Sequence, residues 1–221
     1  MEKINHIIVE VPDKMADFAS EDVMSELKSD GLNIIVQRKP QSGAMAALEW
    51  VIPTALVVYI CKPYFEGFLS EAGKDHYNIL RNWLKRFVKS GRSIKVHTFY
   101  ASESSHKNPD NNTQSKSISV LLQTKSGKVI KVLFDEELTE EDWDEAIDQL
   151  LDFAIDNQNN FPNDYLTKQL ERYDSDNRLH VYAVIDKKEK NLVFYGDRDL
   201  IALQMKGRRN ETSDKGNLGN S

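Results

Sequence analysis

The sequence predicts an α+β fold with a mixed sheet of about six strands and five or six helices. Three observations carry that expectation. A strand–helix–strand pattern fills the first 37 residues, two strand pairs stand at hairpin spacing further on, and the helical segments between them have clear apolar faces.

Ile4 to Val11 is short and β-branched, and Pro12 stops it, so it reads as a strand. Ser20 to Asp30 reads as a helix. Val23, Met24 and Leu27 share a face, Ser20 can cap the start, and Gly31 can supply a left-handed residue after the end. Leu32 to Gln37 is the second strand, and the three elements fit a parallel βαβ unit. The unit carries no G-x-G-x-x-G, so nothing marks it as a dinucleotide site.

Residues 43–61, GAMAALEWVIPTALVVYIC, are the most apolar stretch. Their hydropathy is near what a spanning helix requires, but Glu49 and Pro53 lie inside and only Lys62 flanks them closely. The expectation is a helix that Pro53 starts or kinks, buried on all sides or at a homo-oligomer interface; membrane association is the alternative. Pro63 is read as starting another helix. The helix from Lys74 to Ser90 is better defined, because Tyr77, Leu80, Trp83, Leu84, Phe87 and Val88 make one face and Gly91 follows.

Ser93 to Ala101 reads as a strand. Residues 102–117, SESSHKNPDNNTQSKS, have no apolar side chain and read as a long loop. The chain is expected to form one α+β domain over 1–205, with two lobes dividing near 102–117. Residues 206–221, with one Leu and no other large apolar side chain after Gly207, read as a solvated tail. Ile118 to Thr124 and Lys128 to Phe134 make a hairpin around Gly127. Thr139 to Asn157 is the best-specified helix. Thr139 caps it, Asp142 stands at the capping-box position, and Leu138 with Trp143 is placed for a hydrophobic staple. Its buried stripe is Trp143, Ile147, Leu150, Leu151 and Ala154. A helix over Pro162 to Tyr173, a hairpin of Leu179–Ile185 with Asn191–Tyr195, and a short helix after Asp197 complete the chain.

The 221 residues carry 29 Lys plus Arg against 35 Asp plus Glu, a formal charge of −6. Duplex nucleic acid is therefore not an expected partner for the surface as a whole. One cysteine, Cys61, rules out an intramolecular disulfide and a thiolate metal site within one chain. With no signal-peptide pattern at the start, a cytoplasmic location is expected. Lys62 could lower the Cys61 thiol pKa, but burial at the end of an apolar run is the expectation.

The charges are not spread evenly. Residues 132–167 hold twelve acids and no base; residues 76–102 hold six bases and no acid. Macrodipole matching explains Glu140, Glu141 and Asp142 at the start of one helix, and Lys85, Arg86 and Lys89 near the end of the other. It does not explain Asp152 and Asp156 at a negative helix end. Glu141, Glu145, Asp148, Asp152 and Asp156 follow a 4, 3, 4, 4 spacing and share one stripe, where like charges repel. Such a stripe is a solvated face, or it meets a basic surface in the same chain or in a partner. Arg81, Lys85, Arg86, Lys89 and Arg92 form the complementary secondary basic face, which can dock on an acidic surface. Trp83 and Phe87 interleave with these bases as in single-strand binders, but both fall on the apolar face and read as core.

Catalytic motifs are missing. There is no HExxH, no P-loop, no G-x-S-x-G and no EF-hand loop. His6, His76, His97, His106 and His180 stand apart in sequence and read as packed or surface residues. Asp197 and Asp199 make a D-x-D after a strand, the one pattern that would suit a metal-dependent phosphoester hydrolase. No cofactor and no metal site is expected. The leading expectation is a non-catalytic, regulatory protein, immunity- or adaptor-like, that offers the acidic stripe to a basic protein partner. The toxin-neutralising, small acidic proteins of bacteria share this charge character, which is an analogy only. A membrane-acting or oligomer-forming effector using residues 43–61 is the alternative from a different class.

Overall fold

The computed structural model describes residues 4–39, 54–94, 113–176 and 180–203. It is an α+β arrangement around one mixed, seven-stranded sheet. The strands are β1 (Ile7–Pro12), β2 (Ile34–Lys39), β3 (Leu56–Ile60), β4 (Gln114–Gln123), β5 (Val129–Asp135), β6 (His180–Ile185) and β7 (Leu192–Tyr195). Their order across the sheet is β2-β1-β3-β4-β5-β6-β7. β1 runs parallel to β2, β3 to β4 and β5 to β6; the other three pairings are antiparallel.

The N-terminal unit follows the sequence pattern closely. β1 alternates buried Ile7, Val9 and Val11 with half-buried neighbours. A 3-10 segment, Asp13–Ala19, precedes α1 (Glu21–Ser25), whose cap is Ser20 accepting from the Val23 amide. α1 is shorter than expected, and Gly31 takes the left-handed φ of +83° in the turn into β2.

Residues 56–60 overturn the helical expectation for the apolar stretch. They form β3, a central strand with Leu56, Val58 and Ile60 buried. The residue types explain it: Val57, Val58, Tyr59 and Ile60 are β-formers in a short run. High hydropathy here reflects a strand buried inside the sheet. Residues 43–53 lie outside the described residues. Among the described residues, no helix is long and apolar enough to cross a membrane.

Past Pro63 the chain forms a wide helical segment, Tyr64–Phe68, and then α2 (Leu69–Arg92). Gly73 breaks α2 with φ +74°, so the two expected helices meet at a kink instead of a loop. The expected strand at 93–101 lies mostly outside the described residues. β4 begins at Gln114, so the last residues of the expected loop at 102–117 are strand. Ser115, Ser117 and Ser119 are buried there despite their polarity, and the Ser115 and Ser117 hydroxyls bond each other at 2.7 Å.

α3 (Glu140–Asn160) has the full capping box between Thr139 and Asp142. α4 (Tyr165–Leu170) starts three residues after Pro162 because Asp164 is its cap, accepting from the Thr167 amide at 2.8 Å. A helical segment over 197–203 follows β7. The expected tail at 206–221 lies outside the described residues. β5 is buried along its whole length. Ile130, Val132 and Phe134 join the main core with α2, α3 and α4. Leu133 points the other way, into a smaller cluster with Tyr182, Val184 and Leu200.

Candidate functional site

The two charged segments meet each other. α2 and α3 run side by side, and each turn further along α2 meets a turn further back on α3. Tyr77 donates to Asp152 Oδ1 at 2.8 Å. Arg81 donates from Nε to Asp148 Oδ1 at 2.6 Å and approaches Oδ2 with Nη2 at 2.5 Å. Lys85 Nζ adds a third cationic contact to the same carboxylate at 2.7 Å. Lys89 pairs with Glu140 at 2.5 Å. Arg92 ends the row, donating to the Leu138 carbonyl at 2.6 Å with its guanidinium 4.6 Å from the Trp143 ring centre. The i, i+4 spacing of Arg81, Lys85 and Lys89 makes this register possible, because it puts all three on the face that looks at α3.

The seam assigns the basic face. Arg81, Lys85, Lys89 and Arg92 are committed to α3, and Arg86 pairs with Glu26 beyond α1. Trp83 and Phe87 are buried and stack at 4.9 Å, with the Trp83 indole donating to the Val23 carbonyl.

The same seam divides the acidic stripe. Asp148 is its internal member. Burial pushes its carboxyl up, but the bonds from Arg81 and Lys85 outweigh burial and leave it below the usual range. Asp152 is exposed and takes the Tyr77 hydroxyl, a neutral donor. Burial first, and that bond second, push the Tyr77 phenol above its ordinary value. Glu141 and Glu145 are exposed and lie off the seam. Glu141 is held below the ordinary range by its own backbone N–H and the Thr139 hydroxyl. Asp156 accepts from Asn160 Nδ2 at 2.7 Å and from the Tyr165 amide at 3.2 Å, both neutral groups. Cations from elsewhere in the chain therefore meet Asp148, and also Glu140 and Asp142 outside the stripe; Lys190 supplies the Asp142 contact at 2.9 Å.

Comparison with family models, curated proteins and solved structures found no match to this chain. The chemistry has to be read from the groups themselves.

Two buried polar clusters were not visible in the sequence reading. Asn157 is buried on α3; its side-chain oxygen accepts from the Lys125 amide at 2.8 Å, and its Nδ2 donates to Asp164 at 3.0 Å and Thr167 at 3.1 Å. A signal existed: Asn157 continues the buried spacing of Leu150 and Ala154. The second cluster surrounds Asp135, which is 1% exposed at the end of β5. It accepts from the Thr113 hydroxyl at 2.5 Å and the Glu137 amide at 3.0 Å, and pairs with Lys187 at 3.0 Å. The first ties the turn at Lys125 and the cap of α4 to α3, and the second ties Thr113, Glu137 and Lys187 to the end of β5.

The histidines take structural positions where they are described. His76 is 4% exposed. Its Nδ1 faces the Tyr64 hydroxyl at 3.1 Å and its Nε2 faces the Leu27 carbonyl at 3.1 Å, so Nε2 is the donor. His6 accepts the Asn33 amide, and burial lowers its pKa. His97 and His106 lie outside the described residues. Cys61 is buried, and burial pushes its thiol up to about 11. Asp197 and Asp199 sit two apart on a helical turn, about 200° around the axis, which is not a convergent metal pair. Among the described residues, no group of three His, Cys, Asp or Glu side chains is placed to hold a metal ion.

Proposed function

We propose that this chain is a non-catalytic protein-binding protein, and that it meets a basic partner with the acidic surface of α3 outside the α2 seam. Glu141 and Glu145 form the exposed part of that surface, Asp152 stands at its border with the seam, where Tyr77 bonds it, and Asp156 lies at its end. The observation that carries the reading is the division of the stripe. The bases of α2 pair directly with Asp148, while these four make no salt bridge among the described residues; Lys89 and Arg81 reach Glu141 and Asp152 only at longer range. Long-range attraction to the remaining charge raises the encounter rate, and exposed aromatic side chains nearby, Phe161 and Tyr165, offer apolar anchors.

The test reverses Glu141, Glu145 and Asp152 to Lys together. Glu141 and Glu145 are exposed and off the seam, and the reversal at Asp152 removes the Tyr77 bond, so the fold of the reversed chain is verified by circular dichroism and a melt before use. The wild-type and reversed chains are used to capture partners from the native host at low and high salt, and association with the purified partner is then timed. The reading requires a slower, less salt-dependent association for the reversed chain. An unchanged rate with unchanged salt dependence overturns it.

A further inference from the structure

We propose that the concave surface at the C-terminal end of α3 seats one basic side chain of the partner, an arginine or lysine held against Tyr165 and Asp156. This rests on the protein-binding reading above and names the chemistry of the contact. The surface is a shallow, open depression of about 550 Å³, lined by Asp156, Asn159, Asn160, Phe161, Asn163 and Tyr165 beside the Asp164 cap. Three independent features give it a preference for an organic cation.

The first is the helix end. α3 is 21 residues long and has no basic residue in its last turn; one cation from elsewhere reaches that pole, Lys125 donating to the Gln158 carbonyl at 3.0 Å, so the pole is only partly offset. The second is the carboxylate. Asp156 receives one neutral donor on each oxygen, from Asn160 and from the Tyr165 amide. Those bonds fix its orientation and leave each oxygen able to accept another N–H. The third is aromatic. Tyr165 is 46% exposed and Phe161 37% exposed, and the Tyr165 ring is braced by Phe153 at 5.0 Å. A guanidinium or ammonium over such a ring gains a cation–π contact, and a braced ring loses little freedom when it binds. A divalent metal ion is a poorer occupant, since it needs six or more oxygen ligands and gains nothing from the rings. An anion would meet the wrong pole.

The experiment titrates the full chain with two synthetic peptides at low salt. One alternates arginine with glycine; the other carries citrulline in place of arginine, which keeps the shape and removes the charge. Binding is followed by calorimetry and by the side-chain amide resonances of Asn159, Asn160 and Asn163. The arginine peptide should shift those resonances and the citrulline peptide should not. Tyr165→Leu and Asn159→Arg should each weaken the arginine peptide about fivefold, while Glu145→Gln should change it less than twofold. Asn159 is exposed, so Asn159→Arg keeps the test open even where Tyr165→Leu lowers stability. Equal binding of the two peptides overturns the inference, as does indifference to both substitutions. If the peptide is indifferent to these two and the triple reversal on α3 still abolishes partner capture, the inference fails and the broader reading stands. If the reversal is silent as well, both fail.

Discussion

Arg81 and Asp148 form a two-point pair across the α2–α3 seam, at 2.6 Å through Nε and 2.5 Å through Nη2, and Lys85 closes on the same carboxylate. One acid thus answers two bases. Removing it leaves Arg81 and Lys85 one turn apart with like charges and no common partner. Asp148→Asn is expected to destabilise the fold by about 1–2 kcal/mol, read as a lower denaturation midpoint in urea. A midpoint equal to wild type would show that the pair is only a surface contact.

The same pair sets an acid response. The Asp148 carboxyl titrates lower in the folded chain than in the unfolded one. Its contribution is therefore complete above the unfolded value, about 3.9, and is lost as pH falls through the folded value. Asp142 and Asp164 are shifted in the same direction, Asp142 by the bond from Lys190 and then the Thr139 amide, Asp164 by bonds that outweigh its burial. The stability gap between wild type and Asp148→Asn should be widest near neutral pH and close towards about pH 2–3. A gap that stays constant across that range contradicts the assignment.

Gly91 and Gly67 are expected to respond oppositely to alanine. A Cβ at Gly91 would stand 2.7 Å from Ile118 Cδ1 and 3.1 Å from Ile118 Cβ, so α2 could not keep its approach to β4. Gly91→Ala should cost about 1–3 kcal/mol. At Gly67 a Cβ meets nothing within 4 Å and the backbone is helical, so Gly67→Ala should stabilise by about 0.5–1 kcal/mol. Thermal melts of the two variants decide the signs.

Asn157→Leu would keep the volume of a buried α3 position and remove both halves of its amide. The Lys125 amide loses its acceptor, and the Asp164 cap loses a donor. A loss of about 2–4 kcal/mol is expected, with faster hydrogen exchange in the 124–128 turn and at the start of α4. Unchanged exchange in both places would show that Asn157 does not tie them together.

Cys61 should react slowly with iodoacetamide in the native chain and quickly in denaturant, because burial and a raised pKa withhold the thiolate. Fast native alkylation would contradict this placement.

Much of the architecture was legible in local chemistry. Thr139, Asp142 and the apolar stripe of α3 announced that helix, and Gly127 announced the hairpin of β4 and β5. The capping box and hairpin are local, so a short window contains their cause. The apolar stretch before Lys62 was misread because hydropathy alone does not separate a buried strand from a buried helix; β-branching in Val57, Val58 and Ile60 held the answer. The stripe was legible as a pattern, but its division was not. Whether Asp148 meets Arg81 depends on how α2 lies against α3, and those residues are 67 positions apart in the chain. Asn157 was missed because its amide looks like a polar helix end until Lys125 and Asp164 are placed beside it.

The place of β3 has a consequence for synthesis on the ribosome. β3 leaves the tunnel soon after β1, but its parallel neighbour β4 starts at Gln114, and Leu56 pairs with Ile118. Until those later residues emerge, one edge of an apolar strand has no partner, and α2 arrives before the surface it must cover is complete. A nascent chain with α2 just outside the tunnel should therefore recruit chaperones or self-associate, whereas one with β4 to β7 all emerged should not. Crosslinking of stalled chains at the two lengths would reveal the difference.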